Sequence, residues 1–465
     1  MKKSSIFLLT IFLSSTIFFA VPATSAASYQ VVELWSNPMF VNDVAVSTDG
    51  QYIVAVNNTA IAFFSRGSST PLWWYYNNSD TERFLSVAMS ADGNQVIVGN
   101  NSEEVNPPTG SIYYFDNCHG RSGLQAPDSY NWTSVHFIGM GIPNVERRTI
   151  DISANGEYVV VGGTGDALYY FRDCTSKSGA GKNWDWTINT GHDILAVDMT
   201  PDGRYVAFGG GFTGFVAFTG NADLLGSHNV NWSCDLSSWI MDIAISNDGY
   251  AVAAVGSPVT TLHYWADAKS LSGTQINTWN NTNPFFFSVD VDSSGDRVVA
   301  GTYPIPGTLH FWDGARSMSG MNISETWTRL DRLLVYDVGI VDSGEVIVAT
   351  SGTLDGGLYQ ATQLADGNGY STNFFTADGS LIANFTIDAP GWVVSVAGDG
   401  NTAAVGTGLR GVIIVPRTLY VYGITKNVPV GGEILTVDNL TFLAPYLIVA
   451  TVIVAAGALL KRRVP

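Results

Sequence analysis

Residues Val44–Val56 read VAVSTDGQYIVAV, two short apolar runs on either side of a Ser-x-Asp-Gly turn. Seven related copies follow along the chain. The turn glycines are Gly50, Gly93, Gly156, Gly203, Gly249, Gly295, Gly344 and Gly400, at intervals of 43, 63, 47, 46, 46, 49 and 56 residues. Asp-Gly and Asn-Gly pairs close tight hairpins because both residues tolerate positive φ. A hairpin that recurs about every 40 to 50 residues is typical of a β-propeller blade.

Each copy continues with a third apolar run and then a fourth run that contains a large aromatic residue. The fourth-run aromatic residues are Trp73, Trp132, Trp186, Trp232, Trp279, Trp327 and Phe385. Four short runs joined by turns predict one antiparallel four-stranded sheet per copy. The first two runs are almost continuously Val, Ile and Ala, so they need cover on both faces, which stacked blades provide.

The ends of the repeat array predict how the ring closes. The eighth copy has no aromatic fourth run of its own, whereas the run Val31–Ser36 precedes the first copy. We therefore expect an all-β, eight-bladed propeller in which this N-terminal strand completes the last blade and leaves no free edge. Seven blades are the alternative, if the copy from Val338, with its Gly-rich insertion Asp366–Asp378, is degenerate.

The two termini predict export and anchoring. Residues 1–26 combine Lys2 and Lys3 with an apolar stretch and small residues, which is typical of a signal peptide. An uncleaved anchor is the alternative. Residues 440–460 are long and apolar enough for a transmembrane helix, and the basic tail 461–465 should stay cytoplasmic. This predicts a single-pass type I protein at the cell membrane, with an extracellular propeller (27–425) and a short linker (426–439). A lipid-anchor signal that is removed is the alternative for the tail.

Composition narrows the partners. The 22 basic and 40 acidic side chains give a formal charge of −18, which disfavours nucleic-acid binding. Cys118, Cys174 and Cys234 are too few for a disulfide framework. A Cys118–Cys174 link between neighbouring blades and three free thiols both remain open. In an exported chain the Asn-x-Ser/Thr sequons are candidate glycosylation sites. The candidates are Asn57, Asn77, Asn100, Asn280, Asn322 and Asn439.

Six of the eight first runs carry an aspartate close to the turn. These are Asp43, Asp151, Asp198, Asp242, Asp290 and Asp337. A ring of carboxylates near the axis could bind Ca²⁺. The alternative, which the spread over six blades favours, is that each carboxylate accepts backbone N–H bonds from the neighbouring blade.

Residues just ahead of the first runs should gather at one mouth of the channel, where we place the candidate binding site. They combine charged and aromatic side chains, which suits a peptide or a sugar and equally an ordinary solvated rim. The candidates are Arg83, Arg148, His192, Asp193, Trp239, Arg332 and Trp392. The sequence contains no Ser-His-Asp spacing, HExxH motif or phosphate loop.

Two families resemble this sequence. The S-x-D-G-x-x-V-A-x-G hairpin is similar to the first hairpin of WD40 repeats, and FRDCTSKSGAGKNWDW from Phe171 resembles the docking motif of quinoprotein (PQQ) propellers. Exported propellers with one C-terminal anchor also look like surface proteins of archaea. The quinoprotein resemblance implies a quinone site with calcium, but the vicinal cysteine pair of that family is missing, so PQQ is not expected.

We therefore expect a cell-surface binding or scaffolding module for a protein or glycan partner, without catalysis and without a cofactor. The first alternative is a quinoprotein-like oxidoreductase, or a hydrolase, with its site at the channel mouth. The second alternative is a structural component of the surface layer that packs laterally against its own copies.

Overall fold

The computed structural model describes 28–77, 82–102, 109–138, 149–163, 166–211, 214–236, 238–257, 261–282, 285–303, 306–330, 334–352, 370–408 and 417–427. One compact unit, Gln30–Thr425, is the propeller. The other comprises Met1–Tyr29 and Lys426–Pro465 and is described only at its inner ends. The predicted signal peptide and membrane helix lie outside the described residues. Within the described ranges, no helix is long and apolar enough to cross a membrane.

The strands form eight antiparallel sheets, which we number as blades 1 to 8 from Asp43 onward, each with an innermost, second, third and outermost strand. Blade 1 consists of Asp43–Val46, Tyr52–Val56, Ala60–Ser65 and Trp73–Tyr76, and blade 2 of Glu82–Met89, Val96–Ser102, Thr109–Phe115 and Trp132–Ile138. Blade 3 consists of Ile150–Ile152, Val159–Val161, Ala167–Phe171 and Trp186–Asn189, and blade 4 of Ala196–Met199, Tyr205–Gly210, Phe215–Gly220 and Trp232–Asp235.

Blades 5 to 8 continue in the same order around the axis. Blade 5 consists of Trp239–Ile245, Val252–Ser257, Thr261–Trp265 and Trp279–Asn281, and blade 6 of Phe286–Val291, Arg297–Thr302, Thr308–Asp313 and Trp327–Leu330. Blade 7 consists of Leu334–Ile340, Val346–Gly352, Ser371–Thr376 and Leu381–Thr386, and blade 8 of Gly391–Val396, Thr402–Thr407, Leu419–Asn427 and Ser28–Asn37. Two-residue strands, Gly123–Leu124 and Gly273–Thr274, extend blades 1 and 4. Short 3₁₀ helices lie at Cys118–Gly120, Cys174–Ser176, Ala268–Ser270 and Ala315–Ser317.

The predicted closure is confirmed. Ser28–Asn37 pairs with Leu419–Asn427, so the first strand of the propeller is the outermost strand of the last blade. The innermost strands of neighbouring blades contact each other all the way around, including those of blades 8 and 1. The ring therefore has eight blades and is closed without a covalent link.

One expectation is wrong. The Gly-rich insertion was expected to run from Asp366 to Asp378, but Ser371–Thr376 is the third strand of blade 7. The sequence STNFFT buries Thr372 and Phe374 against the seam with blade 8, where the Phe374 ring lies 5.3 Å from that of Tyr422. Polar residues at this strand's start obscured a run that is apolar in the other blades.

The repeated hairpin forms for a local reason. In blade 1 the Asp49 carboxylate accepts hydrogen bonds from the Ser47 hydroxyl (2.7 Å) and the Gln51 N–H (3.0 Å). Gly50 then adopts a φ of +65°. This conformation favours glycine, and the side chain before it supplies the turn's hydrogen bonds. Asp92, Asn155, Asp202 and Asp248 make the same bonds in blades 2 to 5.

Tryptophans join seven of the eight blades to the next blade at the outside of the ring. The Trp73 indole N–H of blade 1 donates to the carbonyl of Cys118 in blade 2 (2.9 Å), while its ring stacks on Phe63 (5.3 Å). The same indole bond recurs from Trp132, Trp186, Trp232, Trp279 and Trp327, and from Trp35 of blade 8 to Arg66 of blade 1. We call these bonds the indole latches. Blade 7 has Phe385 instead, which packs 4.8 Å from the ring of Tyr422.

The closing latch can be tested with Trp35→Phe. This change removes the 2.7 Å bond from the indole to the Arg66 carbonyl and keeps an aromatic ring against Phe64. We expect a loss of about 1 kcal/mol in the free energy of unfolding, measured by urea denaturation, because a part-buried carbonyl loses its donor. Trp74→Phe is the matched control, since Trp74 is the neighbour of a latch without being one. An equal effect of both variants would contradict the role of the latch.

Candidate functional site: the axial channel

Aspartates on the innermost strands join neighbouring blades beside the channel. In blade 4, Asp198 Oδ1 accepts the N–H of the next residue, Met199 (3.0 Å), and Oδ2 accepts the N–H of Ile245 in blade 5 (2.8 Å). The two oxygens of one carboxylate thus satisfy backbone donors of two blades. Hydrogen bonds to a charged acceptor are stronger than those between neutral groups.

The same bridge recurs at six of the eight seams. Asp43, Asp242 and Asp337 make it toward the beginning of the innermost strands, and Asp151, Asp198 and Asp290 make it closer to the turn. At the closing seam the Ser395 hydroxyl replaces the carboxylate and accepts the Val46 N–H (3.1 Å). At the seam between blades 2 and 3, Ser86 and Ala88 occupy these positions and the described residues show no such bridge. In the structure the six aspartates therefore accept backbone N–H groups of the neighbouring blade, as the second of the two interpretations predicted.

A second ring of bonds surrounds the channel where the innermost strands enter their turns. Thr48, Ala91 and Ala154 each donate a backbone N–H to the carbonyl of the equivalent residue in the next blade. The series stops at Pro201 of blade 4, because proline has no N–H to donate. It resumes at Asn247 and runs through Ser293 and Asp342 to Gly398, and Asp399 closes it onto Thr48.

This ring surrounds a partly open cavity of about 290 Å³, which is lined by residues of all eight blades. Asp151, Asp198 and Asp290 face it, together with Asp342 of the turn in blade 7. Burial raises the pKa of the Asp342 carboxyl, and the charges of Asp399 and Asp292 raise it further. Among the described residues no group of three or more His, Cys, Asp or Glu side chains could hold a metal ion. The cavity is thus an acidic end of the channel whose carboxylates mostly bind backbone.

Those predicted binding residues that the structure describes lie toward the opposite mouth, where the innermost strands begin. Arg83 is the second residue of the innermost strand of blade 2, and Trp239 is the first residue of that of blade 5. His192 and Asp193 precede that of blade 4, where His192 packs 5.1 Å from the ring of Phe215. Burial raises the pKa of Asp193, as does the charge of Asp166, against the influence of His192. Arg148 and Arg332 lie outside the described residues.

At this mouth the structure joins the predicted Trp392 to two aromatic residues that the sequence analysis missed, Tyr336 and Phe287. The ring of Trp392 in blade 8 stacks on Tyr336 of blade 7 at 4.4 Å, and Tyr336 packs edge-on against Phe287 of blade 6 at 4.9 Å. The Trp392 indole N–H is buried and has no hydrogen-bond partner among the described residues. We call Phe287, Tyr336 and Trp392 the aromatic arc.

The arc exists because of β-bulges. The register between the innermost and second strands shifts at Phe286/Ser288, Val335/Asp337 and Gly391/Val393, so each arc residue is the extra one. Leu85 and Met241 occupy the same bulge in blades 2 and 5. A bulge re-aims a side chain away from the strand's alternation. In the sequence the three arc residues share one feature, a position eight residues before the turn glycine of their blade. The alternation of buried and exposed residues in a regular strand does not distinguish that position.

The other candidate residues divide by burial. Asn100 and Asn280 are buried within strands, and their amide oxygens accept the N–H groups of Ser111 and Asn322. A glycan on either would require its strand to open, so the folded protein disfavours these two sequons. Asn57, Asn77 and Asn322 are not buried, and Asn439 lies outside the described residues.

The three cysteines are free thiols, so a Cys118–Cys174 link is not present. All three side chains are buried. The backbone carbonyls of Cys118 and Cys174 each accept an indole latch, from Trp73 and Trp132. Burial raises the pKa of the Cys234 thiol to about 11, with a smaller contribution from Asp235. Cys118 and Cys174 thus occupy matching positions in their repeats because the backbone carbonyl at this position accepts the indole latch of the preceding blade.

No family model matches the chain, and no curated protein matches it. Among solved structures it is similar to the C-terminal WD40 domain of Sif2, with a TM-score of 0.58 and 10% identity over 86% of this chain and 99% of that one. It is also similar to two structures of Sqt1 from Chaetomium thermophilum. Their TM-scores are 0.51 and 0.53, with 16% and 15% identity over 72% and 76% of this chain and 80% and 83% of theirs. These likenesses show a WD40-type β-propeller fold.

The bridging carboxylates can be tested with Asp242→Ala. Asp242 is 9% exposed and accepts the N–H groups of Ile243 (3.1 Å) and of Val289 in blade 6 (3.0 Å). We expect the free energy of unfolding to fall by about 2 kcal/mol, because two buried donors lose a charged acceptor. Asp235→Ala, at an exposed position, should stay within about 0.5 kcal/mol of the parent protein. Similar values for both variants would show that water replaces the bridge.

The raised pKa of Asp342 predicts a pH-dependent gain in stability from Asp342→Asn. The folded state holds this proton more tightly than the unfolded state, whose pKa is near the ordinary 3.8. The stabilisation that comes from binding this proton is therefore complete below the unfolded-state pKa, and it is lost as the pH rises through the pKa of the folded state. We expect Asp342→Asn to be more stable than the parent at pH 7, by about 0.5 kcal/mol after solvent screening, and to show no gain at pH 3.

Asp378→Asn is the control of opposite sign. The Thr376 hydroxyl and the Ser380 N–H lower the pKa of Asp378, so its charge stabilises the folded state above pH 3.8. This variant should lose stability at pH 7. Urea denaturation at the two pH values measures both, and a loss from Asp342→Asn at pH 7 would refute the assignment.

Proposed function

We propose that this protein is a non-catalytic binding module that recognises a protein partner at the channel mouth lined by the aromatic arc. The observation that carries the proposal is the contrast between the two ends of the channel. At the turn end, Asp151, Asp198 and Asp290 hold backbone N–H groups of neighbouring blades. At the strand-start end, three aromatic rings and an unpartnered indole N–H lie together.

Physical chemistry favours the aromatic end as the recognition surface. Large aromatic side chains dominate the binding energy of protein interfaces, and Phe287 and Trp392 are only half-buried in this structure. The closed ring holds these side chains on strands, so little conformational entropy is lost when a partner binds. His192, Asp193, Arg83 and Trp239 belong to the same mouth and supply charge and a further ring. A glycan is the alternative partner, because stacked aromatic rings also suit a sugar.

We further propose that the module works outside the cell, as a type I membrane protein anchored by residues 440–460. The support is the sequence pattern of the two termini. Protease treatment of intact cells should then degrade the propeller and spare an epitope fused after Pro465. Loss of both, or of neither, would argue for a different topology.

Catalysis is not part of the proposal. A quinoprotein-like oxidation or a hydrolysis would need reactive side chains free to act, whereas both oxygens of Asp198 and of Asp290 accept backbone hydrogen bonds. Ca²⁺ at the inner aspartates stays a prediction, which isothermal titration of the purified propeller with CaCl₂ would test. Lateral packing into a surface layer is the remaining alternative, and ordered arrays on isolated envelopes would favour it.

The binding role can be tested with Trp392→Ala and Tyr336→Ala. A partner is first identified by mass spectrometry after capture from native membranes, then purified and titrated against the propeller. We expect each variant to weaken that affinity at least about tenfold, as central aromatic residues of interfaces do. Trp392→Phe keeps the stack and removes only the N–H, so a smaller loss is expected.

Trp74→Ala changes an outer tryptophan of blade 1 and is the control, with affinity expected to be unchanged. Thermal unfolding of each variant separates lost binding from lost structure. Full affinity in both arc variants would refute the assignment of this mouth.

A further inference from the structure

Four blades have their outermost strand covered by a short segment of the following blade. In each case the connection between the third and outermost strands of the following blade carries a Ser-Gly pair. These pairs are Ser122-Gly123, Ser178-Gly179, Ser272-Gly273 and Ser319-Gly320, and they cover blades 1, 2, 4 and 5. We call them the Ser-Gly segments. All four run parallel to the strand that they cover.

The pairing begins in the same way each time. The glycine N–H donates to the carbonyl just before the latch tryptophan, for example Gly123 to Leu72 (2.8 Å) and Gly273 to Asn231 (2.8 Å). A later residue donates to the carbonyl just after that tryptophan. It lies two positions after the glycine in the segments on blades 1 and 4, as Gln125 does on Trp74 (2.8 Å), and three positions after it in the segments on blades 2 and 5. The glycines have φ values of +64°, +81°, +73° and +113°. This region favours glycine, so the segment requires it.

Blade 6 has the same strand without the cover. Its outermost strand, Trp327–Leu330, begins with a latch from Trp327 to the carbonyl of Ala377 (2.8 Å). The connection that follows in blade 7 is a tight turn in which Gly379 N–H donates to Thr376 (2.8 Å), and it ends before any Ser-Gly pair. The backbone carbonyls of Thr326 and Thr328 correspond to those that accept hydrogen bonds from the Ser-Gly segments in the covered blades. In the described part of the chain nothing hydrogen-bonds to them from outside the blade.

An apolar groove lies next to this edge. It is a cavity of about 250 Å³ between blades 6 and 7, where Leu309, Val335 and Phe375 are joined by Leu330 and Leu381. Leu330 is 75% exposed and Leu381 is 57% exposed, in a chain that buries most of its large apolar side chains. Arg329 lies on its rim, with its guanidinium donating to the Gly379 carbonyl. The groove therefore leaves apolar surface in water directly beside unpaired backbone groups.

We propose that the outer edge of blade 6 is a docking site for an extended Ser-Gly segment of a partner protein. The segment pairs in parallel with Trp327–Leu330, as the chain's own Ser-Gly segments pair with blades 1, 2, 4 and 5. Its glycine donates to the Thr326 carbonyl, and a neighbouring apolar side chain occupies the groove. Main-chain hydrogen bonds supply affinity in such strand addition, and the side-chain pocket supplies specificity. This surface is separate from the aromatic arc, so it stands or falls independently of that mouth.

The probe is the synthetic peptide RSGLQA, which copies Arg121–Ala126, carries a fluorophore and is titrated against the whole propeller by anisotropy. We expect saturable binding with a Kd on the order of 0.1 to 1 mM, because a few hydrogen bonds and one apolar contact drive it. The matched peptide RSVLQA has valine at the position that needs positive φ. It should bind at least about tenfold more weakly. Equal binding of the two peptides would overturn the proposal.

Two protein variants locate the site. Leu330→Asp places a charge in the groove and should weaken RSGLQA binding at least about fivefold. Leu225→Asp changes an equally exposed leucine in blade 4 and should leave it unchanged. In a third variant, a copy of residues 314–325 replaces Ala377–Ser380, so that blade 7 covers blade 6 itself. This graft should abolish peptide binding, whereas the same graft with valine in place of the copied Gly320 should retain it.

Undiminished binding to the graft would place the peptide elsewhere and overturn the assignment. Sedimentation velocity of the parent and the graft tests a second copy of the chain as occupant. A dimer in the parent that the graft converts to a monomer would replace the proposed partner with self-association. Concentration-independent monomers in both would support the partner segment.

Discussion

The ring depends on hydrogen bonds that cross from each blade to the next. A blade alone would leave its innermost backbone N–H groups and its outer indole N–H groups without acceptors, and buried donors without acceptors are costly. Three systems meet this need: the bridging carboxylates, the backbone ring at the turns, and the indole latches. Among the described residues the backbone ring is interrupted between blades 4 and 5, and the indole latch is replaced by a phenylalanine between blades 7 and 8. The carboxylate bridge is missing between blades 2 and 3, and between blades 8 and 1 the Ser395 hydroxyl takes its place. These interruptions all fall at different seams.

This distribution explains how the ring closes without a covalent clasp. The seam between blades 8 and 1 has the backbone bond of Asp399, the indole latch of Trp35 and, in the place of a carboxylate, the Ser395 hydroxyl. Arg66 adds two more, to the Thr402 hydroxyl and the Asn401 carbonyl. The closing seam is thus bonded like an internal one. A ring held this evenly presents the side chains of its mouths at fixed positions, which is what a recognition surface needs.

Sequence reasoning predicted the elements whose chemistry is local. The Asp-Gly turns, the eight blades, the closing strand and the backbone role of the aspartates follow from turn chemistry, period and distribution. It failed where tertiary packing decides. Ser371–Thr376 begins with polar residues and became recognisable as a strand only between its neighbours. The aromatic arc depends on bulges that break alternation, so Phe287 and Tyr336 could not be distinguished from core residues.

The outer edges of the blades follow a different logic from the axis. An exposed strand edge invites pairing with other chains, and proteins normally cover or charge such edges. This chain covers four of them with its own Ser-Gly segments, which lie in connections of 13 to 16 residues in the following blades, whereas the corresponding connection in blade 7 has 4 residues. Blade 6 keeps the strand, the latch and an apolar groove, whereas blade 7 omits the cover. At the seam between blades 5 and 6, a longer connection that carries Ser319-Gly320 covers the outermost strand of blade 5. A similar connection in blade 7 would therefore fit the fold, so the fold itself does not require the edge of blade 6 to be uncovered. In the part of the chain that the structure describes this edge stays uncovered, and an uncovered strand edge can pair with another chain.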